Sequence, residues 1–294
     1  MINIGVLGFG EAGSAFAAAL AGHGAVVRAF DPARDQLDIK LPQISLAGDV
    51  KITFCSLAEL LASSEIILST VTTDAALTAA QNCVPNLGPQ HIYCDLNSTA
   101  PALKLQLHEL IQPTSAIFVE GAILGAIGVT GALTKILLGG AYAEELSKTL
   151  SKYGLNTAPY SHEIGKASTF KMLRSIFSKG LEALMVEFLL AGKKAGLEDD
   201  LWQEVTTLLA ENSFDDVARN WVCSHGVAHK RRYHEMAQVS DLLSEMNVEA
   251  IMTDATTAFF KRSNDLDLSQ DFVGKPDKMD DVIEALLRRV SQKP

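Results

Sequence analysis

Residues 6–20 read VLGFGEAGSAFAAAL. Inside this stretch Gly8-Phe9-Gly10-Glu11-Ala12-Gly13 spells G-x-G-x-x-G, a string that means little alone. Here it follows the strand-like run Ile2–Leu7 and opens an Ala-rich helical pattern, the context that gives it meaning. Gly8 permits a tight turn, Gly10 lets the backbone approach a pyrophosphate, and Gly13 lets the helix pack on the strand. The start of the helix adds unpaired N–H groups and a partial positive charge. The competing explanation is a glycine-rich turn with no ligand.

Outward from this turn the first half of the chain alternates. The runs INIGVL, AVVRAF, KITFC, EIILSTV, HIYCDL and AIFVE have strand composition. EAGSAFAAALAGHG, SLAELLAS, TDAALTAAQNC and APALKLQLHEL read as helices between most of them, and TKILLGG reads as a further strand before a helix AYAEELSKTLSKYG. Strand and helix in succession predict right-handed crossovers and a parallel sheet covered on both faces. Asp31 ends the second strand, 18 residues after Gly13. An acid there accepts from an adenosine ribose diol and repels a 2′-phosphate, which favours NAD, with NADP as the alternative because Arg28 and Arg34 are close by. Two later strand ends, with Val71 and Thr72 in one and Ser98 in the other, are expected to point at the same ligand; helix capping is their other use.

Beyond about Tyr160 the rhythm becomes helical, with patterns over 163–195, 199–211, 213–222, 231–246, 248–261 and 277–291. The segment APYSHE (158–163) breaks the alternation, so the boundary is drawn between a dinucleotide-binding domain, 1–160, and a helical domain, 161–294. The 294 residues carry a net charge of −10, which argues against a polyanionic partner. No run is long and apolar enough for a membrane span, and no signal peptide precedes the first strand. Four cysteines without a C-x-x-C pair fit reduced thiols in a cytoplasmic protein.

The first long helical pattern carries a polar stripe. Taking about 100° per residue, Ser168, Arg174, Ser175, Ser178 and Glu182 fall within about 60° of Lys171, with Phe170, Met172, Leu173, Ile176, Phe177 and Leu181 opposite or beside them. After Leu184 the pattern is apolar nearly all round and is expected to be core. A solvated stripe would explain Lys171, but beside a dinucleotide fold an amine can exchange the proton that accompanies hydride transfer.

In these pieces the chain resembles the β-hydroxyacid dehydrogenase family, which includes 3-hydroxyisobutyrate and 6-phosphogluconate dehydrogenases. GFGEAGSAFAAAL looks like its N-terminal fingerprint, and DLNSTAP like its Asp-x-Ser-Thr-x-x-Pro segment. EGAILGA…GALTKILLGG stands where the family has its Gly-rich substrate loop and next strand, and GKASTFKMLRS resembles its Gly-x-x-x-x-x-Lys-x-x-Asn-Asn helix motif. The resemblance implies a Rossmann-type α/β domain followed by an all-α domain that builds a homodimer around a long helix, with Lys171 as catalytic acid/base. Where the family's loop offers Ser-Gly-Gly to a carboxylate, this chain has Leu124-Gly125-Ala126, and the two Asn after the lysine are Arg174 and Ser175. Arg174 can bind an anion bidentately in compensation.

The cluster CSHGVAHKRRYHEM adds His225 and His229, four residues apart, and the basic pair Arg231 and Arg232. No H-E-x-x-H accompanies the histidines, so no metal is expected. Arg231 is a candidate for an acidic substrate. The expected function is NAD(P)-dependent hydride transfer to or from a small acidic hydroxy or keto substrate. Lys171 is catalytic; Gly8, Phe9, Gly10, Glu11, Ala12, Gly13, Asp31, Val71, Thr72 and Ser98 serve the cofactor; Gly125, Arg174, Ser175 and Arg231 serve the substrate. The alternatives are an imine reductase on the same fold and a non-catalytic dinucleotide sensor.

Overall fold

A computed structural model describes residues 1–33 and 52–292, so Arg34 lies outside the described residues. The chain forms two compact units, Met1–Ile176 and Phe177–Pro294.

The first unit opens with β1 (Asn3–Leu7), α1 (Glu11–Gly22), β2 (Val26–Phe30), β3 (Ile52–Phe54), α2 (Leu57–Ala62), β4 (Ile66–Ser69), α3 (Ala76–Cys83), β5 (Ile92–Asp95) and α4 (Pro101–Ile111). It continues with β6 (Ile117–Ile123), the short α5 (Ile127–Thr130), β7 (Ile136–Gly139), α6 (Ala143–Lys152) and β8 (Thr157–Ser161). Among the described residues the strands form one sheet in the order β3-β2-β1-β4-β5-β6-β7-β8. The Rossmann-type sheet expected from the alternating runs is present. Its two faces are filled by successive residues of the same strands. Ile4, Val6, Ile66 and Leu68 join Phe16 and Leu20 of α1 in one core, while Leu7 and Ile67 join Leu60, Leu107 and Ile111 in the other. Burying each such side chain contributes about 1.5–3 kcal/mol, which is why strands apolar on both faces require helices on both.

Two features depart from the sequence reading. The β6–β7 pair is antiparallel, with Glu120 opposite Gly139. Only the four-residue α5 and a single 3-10 turn, Gly131–Leu133, lie between these strands, without the long helix a parallel crossover uses. And APYSHE does not break the fold: Thr157–Ser161 is a strand parallel to β7 at the sheet edge, where Pro159 costs little because an edge strand does not need every N–H.

Helix α7 (Lys166–Ala195) begins in the first unit and ends in the second, which continues with α8 (Glu198–Glu211), α9 (Phe214–Glu245), α10 (Ile251–Asp265) and α11 (Met279–Ser291). The two helices expected over 213–222 and 231–246 are one. The helix runs on through Gly226, and a Cβ there would lie 3.1 Å from the Phe272 ring, so the glycine makes room for an aromatic neighbour. The expectation that α7 is core beyond Leu184 also fails within a single chain, where Val186 and Leu190 are 54% and 59% exposed. At Ser213 the hydroxyl accepts from Asp216 N–H and caps α9 as its sequence suggests.

Candidate active site

The three glycines of the first turn are required for different reasons. Gly8 has φ +89°, and a Cβ there would lie 2.7 Å from the Thr70 carbonyl oxygen. At Gly13 a Cβ would come within 2.0 Å of the Gly8 carbonyl oxygen. Both are fixed by packing inside the protein. Gly10 is different: nothing lies within 4 Å of its Cβ position, and as N-cap of α1 it has no side chain to satisfy the helix's first N–H groups. Packing does not explain this glycine; a ligand laid over the helix start does, so the residues present fit a dinucleotide pyrophosphate.

Around this cradle, the Asp31 carboxylate accepts from Phe9 N–H at 2.7 Å and Ala33 N–H at 2.8 Å. It closes the turn against the end of β2, and each oxygen keeps capacity for a further donor. The Phe9 side chain is buried edge-on against Phe54, so this residue presents backbone only. Glu11 is exposed, Ala12 half-buried, and the Glu11 carboxylate lies beside Gly128 of α5. Thr70 donates to the Gly8 carbonyl at 2.8 Å, tying the end of β4 to the turn. Val71 is half-buried against the second core, and Thr72 is exposed, its hydroxyl holding the Asp74 carboxyl below its ordinary range.

At the end of β5 the chain presents Ser98 to solvent, and the Lys171 ammonium nitrogen donates to Ser98 Oγ at 2.5 Å. These two residues are 73 positions apart. Ser175 donates back to the Lys171 carbonyl at 3.1 Å, so its hydroxyl is occupied within the helix, whereas Arg174 is exposed. Gly125 is exposed in the loop after β6, and Leu124 packs with Ala122, Leu137 and Ala167. Arg231 belongs to the second unit and pairs with Glu235 of its own helix, while Arg232 donates to Ser224 Oγ at 2.7 Å.

Sequence reasoning missed the buried ions beneath this site. Lys104 and Asp95 are both fully buried and form an ion pair. The Lys104 ammonium also donates to the carbonyls of Asp95 (2.9 Å), Asn97 (2.8 Å) and Gly121 (3.4 Å). Burial raises the Asp95 carboxyl above its ordinary range, and Lys104 opposes that rise. Asn97 donates to Ser69 Oγ at 3.0 Å and to Asp95 Oδ1 at 2.5 Å. Asn97 Oδ1 and Thr99 Oγ1, which flank Ser98 in the chain, are buried without a protein partner. Glu120 of β6 is fully buried too, and accepts from the first turn of α7. The available signal was an acid closing each of two apolar strand runs, HIYCDL and AIFVE.

Residues 3–160 match the model of the NAD binding domain of 6-phosphogluconate dehydrogenase. The chain belongs to this family. Residues 193–263 match a domain of unknown function, DUF1932. An uncharacterized 28.5 kDa protein in the 7S RNA 5′ region of Methanothermus fervidus is 29% identical over 269 residues, covering 88% of this chain and 98% of that protein. A conserved protein of unknown function, whose structure is described as similar to 3-hydroxyacid dehydrogenases, is 31% identical with TM-score 0.57, covering 91% of this chain and 99% of the other. A variant imine reductase from Myxococcus stipitatus, solved with NAD+, shares the fold at 18% identity and TM-score 0.75, covering 97% of this chain and all of that one (100%). The NAD-binding domain of 6-phosphogluconate dehydrogenase type is thus followed here by a helical region, and the chain has an NAD(P)-binding, dehydrogenase-like fold. Among the described residues no helix is long and apolar enough to cross a membrane.

Proposed function

We propose that this member of the 6-phosphogluconate dehydrogenase-type NAD-binding family is an NAD(P)-dependent oxidoreductase that interconverts a hydroxyl and a carbonyl on a small acidic substrate, with Lys171 as general acid/base. The observation that carries the proposal is the hydrogen bond between Lys171 Nζ and Ser98 Oγ, 2.5 Å long, at the carboxyl end of β5, where a doubly wound sheet binds its ligands. When bound, the nicotinamide supplies or accepts a hydride. The Lys171 amine takes the hydroxyl proton during oxidation and returns it to the carbonyl oxygen during reduction. Ser98 orients the amine. Gly10 and the N–H groups opening α1 hold the pyrophosphate, and Asp31 accepts from the adenosine ribose. Arg174, exposed on the same helix as Lys171, recognises the acidic group in place of the hydroxyl absent from Leu124-Gly125-Ala126.

A second chemistry, reduction of an imine, is favoured by that same loop, which offers no side-chain hydroxyl to a substrate carboxylate. Purified protein assayed by cofactor absorbance against matched panels of hydroxy acids, keto acids and cyclic imines separates the two. Turnover of hydroxy or keto acids with Lys171 required supports the first chemistry; turnover confined to imines replaces it with the second. Cofactor bound without turnover of either panel leaves a dinucleotide sensor.

Asp31 is expected to make NAD(H) bind more tightly than NADP(H) by about 1–3 kcal/mol, a charged hydrogen bond gained and a repulsion avoided. Calorimetry showing equal affinities would contradict that preference. The active species is a cytoplasmic homodimer, a reading supported by four free cysteines and by apolar surface on the second unit. In α8 no residue is buried, and Trp202 is 48% exposed. Sedimentation equilibrium giving a monomer at assay concentrations would overturn the dimer.

A further inference from the structure

Every observation bearing on Glu120 points one way. Its carboxylate is fully buried, which is costly for an ion unless its environment compensates. Oε1 accepts from Ala167 N–H at 3.0 Å, and Oε2 accepts from Ser168 Oγ at 2.6 Å. Ala167 and Ser168 are themselves buried and lie in the first turn of α7. The carboxylate has room because its antiparallel partner is Gly139, where a Cβ would lie 2.6 Å from Oε1. A serine or aspartate at the helix start would cap α7 from solvent without burying an ion. Instead the cap comes from the middle of the sheet, 47 residues back in the chain. It ties the helix to β6 at a point three residues before Lys171, about 4.5 Å along the axis.

The other half of the Lys171–Ser98 contact is tied to the same strand. Lys104 holds the carbonyls of Asp95 and Asn97, at the root of the Ser98 loop, together with the carbonyl of Gly121, the residue after Glu120. One strand therefore serves as reference for both partners, through Glu120 on the helix side and Lys104 on the loop side.

We infer that Glu120 is a positioning residue for Lys171: by gripping the first turn of α7 it sets the amine against Ser98 and hence against the reacting oxygen. The inference rests on the acid/base role proposed for Lys171 where it concerns turnover, but not where it concerns the amine's position.

The test uses the full chain with cofactor bound and two readouts. First, the rate at which acetic anhydride labels Lys171 is measured by peptide mass spectrometry, with the exposed Lys148 and Lys193 as internal references. Glu120→Gln is expected to change the Lys171 rate about threefold or more while the reference rates stay fixed, because a charge-assisted grip on the helix is lost. A merely structural role would leave the Lys171 rate with those of the references, and that result overturns the proposal. Second, turnover is measured in a double-mutant cycle. Glu120→Gln is expected to lower kcat about tenfold with KM for the cofactor unchanged, and to add nothing further in a Lys171→Met background. Equal losses in both backgrounds contradict it. If Lys171→Met alone is fully active, the acid/base reading falls and labelling still decides the positioning role. If Glu120→Gln does not fold, Ser168→Ala removes one of the two ties, and the same labelling criterion applies.

Discussion

Both units bury a carboxylate that caps a helix, Glu120 at α7 and Glu187 at α10, but they differ in how their apolar side chains and remaining buried ionisable groups are placed. In the first, two cores pack the sheet on both faces, although Val129, Leu133 and Ile176 stay exposed, and the buried charges are engaged: Lys104 with Asp95, Glu120 with the start of α7. In the second, large apolar side chains such as Leu190, Ile251 and Leu287 remain more than half exposed (59%, 62% and 63%), and the buried histidine His225 is held without an opposite charge. Where a sheet is packed on both faces, buried charges beneath it can be engaged and hold a site in place. In the second unit the buried base His225 has burial, not an acid, as its main influence and is held neutral.

Three substitutions and conditions put that contrast under stress. Gly10→Val is expected to have the largest effect, weakening dinucleotide binding at least 100-fold, roughly 3 kcal/mol or more, since the branched side chain occupies the one open space over the turn. The first unit should still fold, because Gly10 meets no protein neighbour there. Calorimetry with retained affinity would show that the turn is not the cradle.

Lys104→Met comes next. Removing one partner of a buried pair leaves Asp95 uncompensated, at a cost of about 3–5 kcal/mol. Urea unfolding followed by circular dichroism should show the loss. Both tryptophans, Trp202 and Trp221, lie in the second unit, so their fluorescence should show a smaller change than the circular dichroism transition. A loss below about 1 kcal/mol would mean that the pair is not an anchor.

The third concerns pH and the second unit. Burial is the main cause, ahead of His229, Arg232 and Arg262, that pushes His225 from 6.5 down to about 4, and its Nε2 lies 2.9 Å from Ser263 Oγ. The folded state then binds fewer protons than the unfolded state between these values. Stability is therefore complete above pH 6.5 and falls as pH drops towards 4, by about 3 kcal/mol at the lower end. Tryptophan-monitored unfolding should show this slope, and His225→Gln should flatten it. A slope unchanged by that substitution places the acid sensitivity elsewhere.

The contrast also explains what could be read from the sequence. The glycine turn, the alternating runs and Asp31 were legible because local chemistry dictates them: a strand, a turn that only glycine fits, a helix. The antiparallel β7 and the edge strand with Pro159 were not, because pairing partners and edge position are tertiary facts. The continuity of α9 through Gly226 was not legible either, because Phe272, which the glycine accommodates, is distant in sequence. The polar stripe that carries Lys171 was legible from periodicity, and the role proposed for the amine comes from a family resemblance. Ser98 stood out at a strand end, but its pairing with Lys171 across 73 residues, and the buried contacts of Glu120 and Lys104, are tertiary and no local pattern announces them.

The central claim is that the Lys171 amine, held against Ser98, exchanges the proton that accompanies hydride transfer. Steady-state kinetics of Lys171→Met on a verified substrate, with cofactor affinity measured in parallel, tests it most directly. The account predicts a loss of about 10²–10⁴-fold in kcat with cofactor affinity nearly unchanged, and no rescue by Lys171→Arg, because guanidinium does not release its proton near neutral pH. Near-wild-type turnover by Lys171→Met would contradict it.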